Sequence, residues 1–121
     1  MTAHREPIAD CLFCRIVAGE IPSRKAAEDD LILAFHDIAP RSPTHVLVIP
    51  KVHIASAADL TEEDGPLLGR MFATLAGLAR DAGIAYDGYR IVSNVGRWGG
   101  QSVDHLHLHL MGGRAFDWPP G

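Results

Sequence analysis

The stretch His105-Leu106-His107-Leu108-His109-Leu110 alternates strictly between histidine and leucine. Successive side chains of a strand point to opposite faces, so a strand here would send three imidazoles one way and three leucines the other. Neighbouring imidazoles would stand about 6.5 to 7 Å apart at the backbone, close enough to converge on one ligand or metal ion. The stretch therefore predicts a strand with leucines in the core and a functional histidine face.

Two other interpretations of the histidines are open at this point. They could be polar residues on the wet face of an amphipathic strand, where Thr or Lys would serve equally well. They could also be the three ligands of a catalytic zinc ion. The preceding loop, residues 94–102, favours a phosphate site, because it offers glycines for close backbone approach and a hydroxyl at Ser102.

Length and composition indicate one small globular domain. The chain has 121 residues, of which 47% are hydrophobic and 21% charged, enough for a single modest core. Residues 1–10 lack the apolar region of a secretory signal, and no apolar run is long enough to span a membrane. We therefore expect a cytoplasmic protein with no membrane partner.

The net charge of -4 argues against a nucleic-acid polymer as partner. Binding such a polymer rests on a field of Lys and Arg side chains that releases counterions. A single nucleotide needs no such field, since a few backbone N–H groups can hold one phosphate. The net charge therefore does not argue against a small phosphorylated ligand.

The hydrophobic pattern places the histidine strand in an α+β domain. A short helix is predicted over residues 11–18 and a long one from the Asp64 cap to Gly83. Strands are predicted over four segments: 31–36, 45–49, 89–93 and 105–111. Only one long helix is available as a crossover, so an antiparallel sheet is favoured over repeated βαβ units.

Cys11 and Cys14 are the only cysteines. Their C-x-x-C spacing in a cytosolic protein indicates a metal site or a redox pair rather than a disulfide framework. Free thiols at a helix start would have a lowered pKa and redox activity. The spacing alone does not decide between these two.

Taken together, the motifs resemble the histidine-triad (HIT) superfamily. Its signature, His-φ-His-φ-His-φ-φ with φ an apolar residue, is met completely by residues 105–111. The stretches 34–51 and 99–103 also resemble the family. The ending Trp118-Pro119-Pro120-Gly121 looks like that of the Hint branch, whose members are homodimers that hydrolyse purine nucleoside phosphoramidates.

The resemblance implies a fold and an assembly for the whole chain. We expect one domain over residues 1–121 with a five-stranded antiparallel sheet, one long helix and one short helix. The sheet would extend across a homodimer. Residues 1–10 would be a loose N-terminal segment, and the tail 112–121 would lie at the dimer interface and reach toward the partner's site.

The resemblance also implies catalytic roles. His107 would attack the α-phosphorus and form a covalent nucleotidyl-histidine that water then hydrolyses. A neutral imidazole suits this role because it can attack without a separate strong base. His45 would lie beside the nucleophile and orient it or relay a proton, while Ser102 and His109 would contact phosphate oxygens.

The remaining substrate contacts follow from the same resemblance. Asp37 would accept hydrogen bonds from the ribose hydroxyls. Phosphate contacts would come from Asn94, Gly100 and Gln101 besides Ser102 and His109. An apolar base pocket would be drawn from Leu12, Phe13, Ile16, Ile21, Phe35 and Leu47, although each is equally a core residue by pattern. His4 and His36 are expected to be solvated.

A structural zinc site is the last feature that the resemblance implies, with Cys11, Cys14, His53 and His105 as ligands. Two thiolates and two neutral imidazoles give zinc a closed, neutral tetrahedral shell. Zinc is favoured over redox thiols because no thioredoxin-like context surrounds the cysteines. The ion would fasten the N-terminal helix to the sheet and would not be needed for catalysis.

Hydrolysis of purine nucleoside phosphoramidates, releasing a nucleoside monophosphate and an amine, is the leading hypothesis. A dinucleoside polyphosphate hydrolase would use the same triad. A non-catalytic nucleotide-binding module, regulating a partner protein through its dimer surface, would need no nucleophile. The Trp-Pro-Pro-Gly ending favours the first.

Overall fold

The computed structural model describes residues 5–121, so the expectation for His4 lies outside the described residues. Its five strands are β1 (Lys25–Glu28), β2 (Ile32–His36), β3 (Thr44–Pro50), β4 (Tyr89–Val92) and β5 (Leu108–Gly112). The helices are α1 (Leu12–Val17) and α2 (Gly65–Asp81), with 3-10 turns at Ala57–Asp59 and Glu62–Asp64. The strands pair antiparallel in the order β1-β2-β3-β5-β4. The predicted α+β class, five-stranded antiparallel sheet and pair of helices are confirmed.

The sheet is covered on both faces, which explains why β2 and β3 are apolar along most of their length. One core lies toward α2 and includes Ile32, Val46, Val48, Met71, Leu75, Leu106, Leu108 and Leu110. The other lies toward α1 and includes Cys11, Phe13, Cys14, Ile16, Leu33, Phe35, Leu47 and Ile49. Alternate residues of β2 and β3 therefore enter different cores.

The histidine strand is shorter than predicted, because β5 begins at Leu108 rather than His105. Its pairing with β3 starts at Leu108 opposite Val48, so Leu106 would fall opposite Pro50, which has no N–H to donate. Leu106 N–H instead donates to the Ile54 carbonyl at 2.6 Å. The alternation of sides still holds, since the three leucines enter the α2 core.

The two helices lie within the predicted segments and end just before the predicted glycines, although Asp64 makes no side-chain cap hydrogen bond to α2. Cys11 caps α1 by accepting the Cys14 backbone N–H at its Sγ, 3.3 Å away, and Gly19 follows the helix with φ +80°. Gly83 does the same after α2 with φ +75°. Both glycines take the left-handed conformation that glycine adopts most easily.

The N-terminal segment is attached to the domain from Arg5 onward. The Arg5 carbonyl accepts the His53 backbone N–H at 3.0 Å, and its guanidinium pairs with the buried carboxylate of Asp64. This part of the segment 1–10, expected to be loose, is therefore held in place. Across residues 5–121, neither helix has the length and apolar character needed to cross a membrane.

Candidate active site and metal centre

A cavity of about 360 Å³ opens between α1, β2 and the segment that leads into β5. It brings together ten of the predicted site residues: Leu12, Phe13, Ile16, Ile21, Phe35, Asp37, Leu47, Ser102, His107 and His109. Pro22, Ile38 and Val103 line it as well, although the sequence analysis did not single them out. Ile38 could have been found from the sequence, because it is a large apolar residue that lies beyond the end of the predicted strand 31–36. The structure leaves its side chain fully exposed.

His107 is 3% exposed and presents one defined nitrogen to this cavity. Its Nδ1 lies 2.7 Å from the His105 carbonyl oxygen. Since a carbonyl only accepts, Nδ1 carries the proton and Nε2 keeps its lone pair. In residues 5–121 no buried side-chain nitrogen or oxygen lacks a partner, so the unpartnered Nε2 must reach solvent, and it does so in the cavity.

His45 and His109 form a hydrogen-bonded pair behind the cavity wall. His45 Nδ1 accepts the Arg41 backbone N–H at 3.0 Å, so its proton sits on Nε2. That Nε2–H donates to His109 Nδ1 at 2.9 Å, which places the His109 proton on its own Nε2. The His45 ring contacts His109, with centroids 5.1 Å apart, and the His109 ring contacts His107, with centroids 4.9 Å apart.

Asp37 lies at the end of β2, where the cavity meets this pair. Its Oδ1 accepts the Ala39 backbone N–H at 2.8 Å, and its Oδ2 lies 3.4 Å from His45 Nε2. The Oδ2 atom therefore faces the His45–His109 pair while the side chain still lines the cavity. This position allows the carboxylate to accept hydrogen bonds from a ligand.

The loop before the triad is held mainly by its own hydrogen bonds. The Gln101 amide donates to the carbonyls of Ala55 and Val103 at 2.7 and 3.0 Å and accepts the Gly96 N–H at 2.9 Å. The Gly100 N–H donates to the Arg97 carbonyl. Of the predicted phosphate contacts, Ser102 and His109 line the cavity, whereas Asn94, Gly100 and Gln101 do not.

A second cluster forms on the other side of α1 from Cys11, Cys14, His53 and His105, whose donor atoms all lie within 4.8 Å of one another. Cys11 Sγ is 3.3 Å and Cys14 Sγ is 3.6 Å from His105 Nδ1. His53 Nδ1 is 3.3 Å from Cys14 Sγ and 3.2 Å from His105 Nδ1. The cluster could hold a metal ion.

The protonation of this cluster suits ligation. His105 Nε2 lies 2.9 Å from the Pro50 carbonyl, so its proton sits there and Nδ1 keeps a lone pair for a metal. Burial lowers the pKa of His105 to about 4 and keeps the ring neutral. Burial also raises the pKa of the Cys14 thiol, the opposite of the shift that makes a cysteine reactive.

The triad itself does not form a three-histidine metal centre. His105 turns to the cysteines and His109 to His45, and His107 belongs to neither group of possible metal ligands found in residues 5–121. The second of those groups joins Asp37, His45 and His109, whose contacts are the His45–His109 hydrogen bond and the 3.4 Å approach of Asp37 Oδ2 to His45 Nε2. The zinc-hydrolase interpretation of the triad is therefore wrong.

The HIT domain family model matches residues 18–116. The chain belongs to the HIT family. It is 47% identical over 105 residues to the purine nucleoside phosphoramidase of Escherichia coli K12, covering 87% of this chain and 88% of that protein. An uncharacterised HIT-like protein of Synechococcus elongatus is 49% identical over 112 residues, 93% of this chain and 97% of that one. The crystal structure of a HIT family hydrolase from Legionella pneumophila aligns with a TM-score of 0.91 at 51% identity, covering 93% of this chain and 100% of its own.

We expect His109 to titrate far below an ordinary histidine. Burial is the main cause that lowers its pKa to about 4, assisted by His107 and His45 and opposed by Asp37. Between about pH 6.5 and 4 the unfolded chain then binds more protons at this site, so the free energy of unfolding falls as the pH is lowered through that window.

A histidine NMR titration and urea unfolding at pH 7 and pH 5 measure both effects. The His109→Gln variant should lose less stability between the two pH values than the unaltered protein. A His109 midpoint near 6.5, with equal losses in both proteins, would contradict the expectation.

Proposed function

We propose that this HIT protein hydrolyses purine nucleoside phosphoramidates through a covalent nucleotidyl intermediate on His107. The observation that carries the proposal is the free Nε2 lone pair of His107, fixed in direction by the His105 carbonyl and open to the cavity. The purine nucleoside phosphoramidase of E. coli, 47% identical, supports a substrate of this class.

The cavity walls suit the parts of a nucleotide. Phe13, Ile16, Phe35 and Leu47 provide an apolar surface for a base. The Asp37 carboxylate would accept hydrogen bonds from the ribose hydroxyls. Ser102 and the Nε2–H of His109 would then donate to phosphate oxygens beside the nucleophile.

Two displacements at phosphorus follow from this arrangement. In the first, His107 Nε2 bonds to phosphorus, the substrate's phosphorus–nitrogen bond breaks and the amine departs with a proton. That proton would come from solvent at the cavity, because His109 is neutral and its Nδ1 already accepts the His45 Nε2–H. In the second, water bonds to phosphorus and loses a proton to solvent, the bond to Nε2 breaks with its electron pair returning to His107, and the nucleoside monophosphate is released.

We propose zinc as the metal of the four-residue centre. Zinc–sulfur bonds of about 2.3 Å and zinc–nitrogen bonds of about 2.0 to 2.1 Å place tetrahedral ligands about 3.3 to 3.8 Å apart. The sulfur–nitrogen distances of 3.3 to 3.6 Å fall within this range, and the nitrogen–nitrogen distance of 3.2 Å lies just below it. Bound there, zinc would supply a structural link between α1 and the segment before β5.

A homodimer that continues the sheet through β4 is also proposed. β4 is an edge strand with Ile91 partly exposed on it. The tail is fixed near this edge, since Arg90 donates to the Asp117 carbonyl at 2.8 Å, and it leaves Trp118 83% exposed. Exposed apolar residues beside an unpaired edge favour burial against a second copy.

His107→Ala should lower kcat on adenosine 5′-phosphoramidate by at least about 10³-fold, because the nucleophile is removed. His36→Ala is the matched control, since this histidine lies outside the cavity and should keep full activity. Steady-state assays with diadenosine polyphosphate run in parallel, and the proposal predicts a higher kcat/KM for the phosphoramidate. An undiminished rate in His107→Ala, or a preference for the dinucleotide, would contradict it.

For the metal, we expect about one zinc per chain in purified protein, measured by elemental analysis. Chelation should lower the melting temperature, and zinc chloride should restore it, because the ion links residues distant in sequence. The Cys11→Ser variant should bind zinc weakly and show little response to chelator. Zinc well below one per chain after reloading, with an unchanged melting temperature, would remove the assignment.

Sedimentation equilibrium should give twice the 13.1 kDa mass of the chain. Ile91→Lys should shift the protein toward monomer, because it introduces a charge at the proposed interface. Leu31→Lys, at a partly exposed position at the opposite end of the sheet, is the control and should remain dimeric. A monomeric unaltered protein at tens of micromolar would refute the dimer.

A further inference from the structure

The nucleophile lies on a segment that the sheet does not hold. β5 starts at Leu108, one residue after His107. The backbone before it is fixed by the His105 N–H to the Val103 carbonyl at 2.8 Å and by the Leu106 N–H to the Ile54 carbonyl. The direction of the His107 ring therefore depends on the position of residue 105.

Residue 105 is also held through its side chain. Its imidazole is fully buried, with Nε2 on the Pro50 carbonyl at 2.9 Å and Nδ1 in the four-donor centre. The carbonyl of the same residue accepts the His107 Nδ1–H. One residue therefore connects the centre directly to the tautomer of the nucleophile.

Helix α1 makes a second connection. Cys11 and Cys14 lie in the centre, while Leu12 and Phe13 between them line the substrate cavity. The Phe13 ring contacts the His107 ring edge-on, with centroids 5.1 Å apart. A helix of six residues has little stability of its own, so its position depends on what its side chains bind.

We propose that the centre of Cys11, Cys14, His53 and His105 positions the nucleophile and the cavity wall, rather than only stabilising the fold. Metal binding there holds the His105 carbonyl where His107 needs it and sets α1 against the cavity. His105 is thus a positioning residue that acts through its backbone oxygen. This inference rests on the proposed function and assigns the centre a part in it that the sequence analysis did not expect.

A purely structural link would predict a different behaviour. It would lower the melting temperature on metal loss, but below that temperature the folded protein would keep the same His107 tautomer and the same kcat. A positioning centre changes both in protein that is still folded. Outer residues that orient a working group are typically worth about 10- to 100-fold in activity.

The experiment compares zinc-loaded, metal-free and zinc-reloaded full-length protein at a temperature where circular dichroism shows all of them folded. Nitrogen-15 NMR of the histidines reports the His107 tautomer without any turnover, and calorimetry reports AMP affinity. We expect a single Nδ1–H tautomer with zinc, a mixture without it, and a fall in kcat of about 10- to 100-fold that reloading reverses.

Two variants keep the test decisive. His53→Gln, at the partly buried corner of the centre, should lose activity in proportion to its loss of zinc, and excess zinc should restore both. Leu75→Ala, at a buried position of α2 itself, is the control that lowers the melting temperature but should keep the tautomer and kcat.

An unchanged tautomer, AMP affinity and kcat in folded, metal-free protein would overturn the proposal. Failure of the proposed function gives a different result. Zinc-loaded protein would then lack phosphoramidase activity, or His107→Ala would retain it, while the tautomer and AMP measurements would still report on positioning.

Discussion

The site depends on one hydrogen bond, from His107 Nδ1 to the carbonyl oxygen of His105, 2.7 Å long. A neutral imidazole has one proton and one lone pair, and this bond decides which nitrogen has which. Because the acceptor is a backbone atom two residues away, the lone pair is aimed by the path of the chain itself. Nucleophilic attack on a ligand in the cavity requires this free Nε2 lone pair. The apolar wall and the neighbouring donors can only position that ligand.

Five imidazoles crowd around this bond, and three of them are buried in a way that disfavours a positive charge. Burial lowers the pKa values of His45, His105 and His109, so positive charges do not accumulate. Each of these rings also has a fixed hydrogen-bond direction, given by Arg41, Pro50 and His45 respectively. Neutrality and direction together let the rings serve as lone-pair donors at one nitrogen and hydrogen-bond donors at the other.

The sequence correctly predicted that the leucines and histidines of residues 105–110 lie on opposite sides. It did not predict that the strand begins only at Leu108. Strict alternation places the leucines in one core and the histidines opposite, whether or not the segment pairs in the sheet, so Pro50 could end the pairing without changing the faces. β1 could not be predicted, because Lys25-Ala26-Ala27-Glu28 is a short edge strand with no apolar pattern. The partners of Gln101 and His45 could not be predicted, since Ala55 and His109 are 46 and 64 residues away in the chain.

The most direct test of the proposed reaction identifies the residue that carries the nucleotide's phosphorus during turnover. Rapid acid-free quenching with an adenosine phosphoramidate, followed by peptide mass spectrometry and phosphorus-31 NMR, locates the bound nucleotide. The geometry predicts an adenylyl group on His107, bonded to Nε2. An adduct on Nδ1, on another histidine, or on no residue during a demonstrable burst of amine release would contradict it.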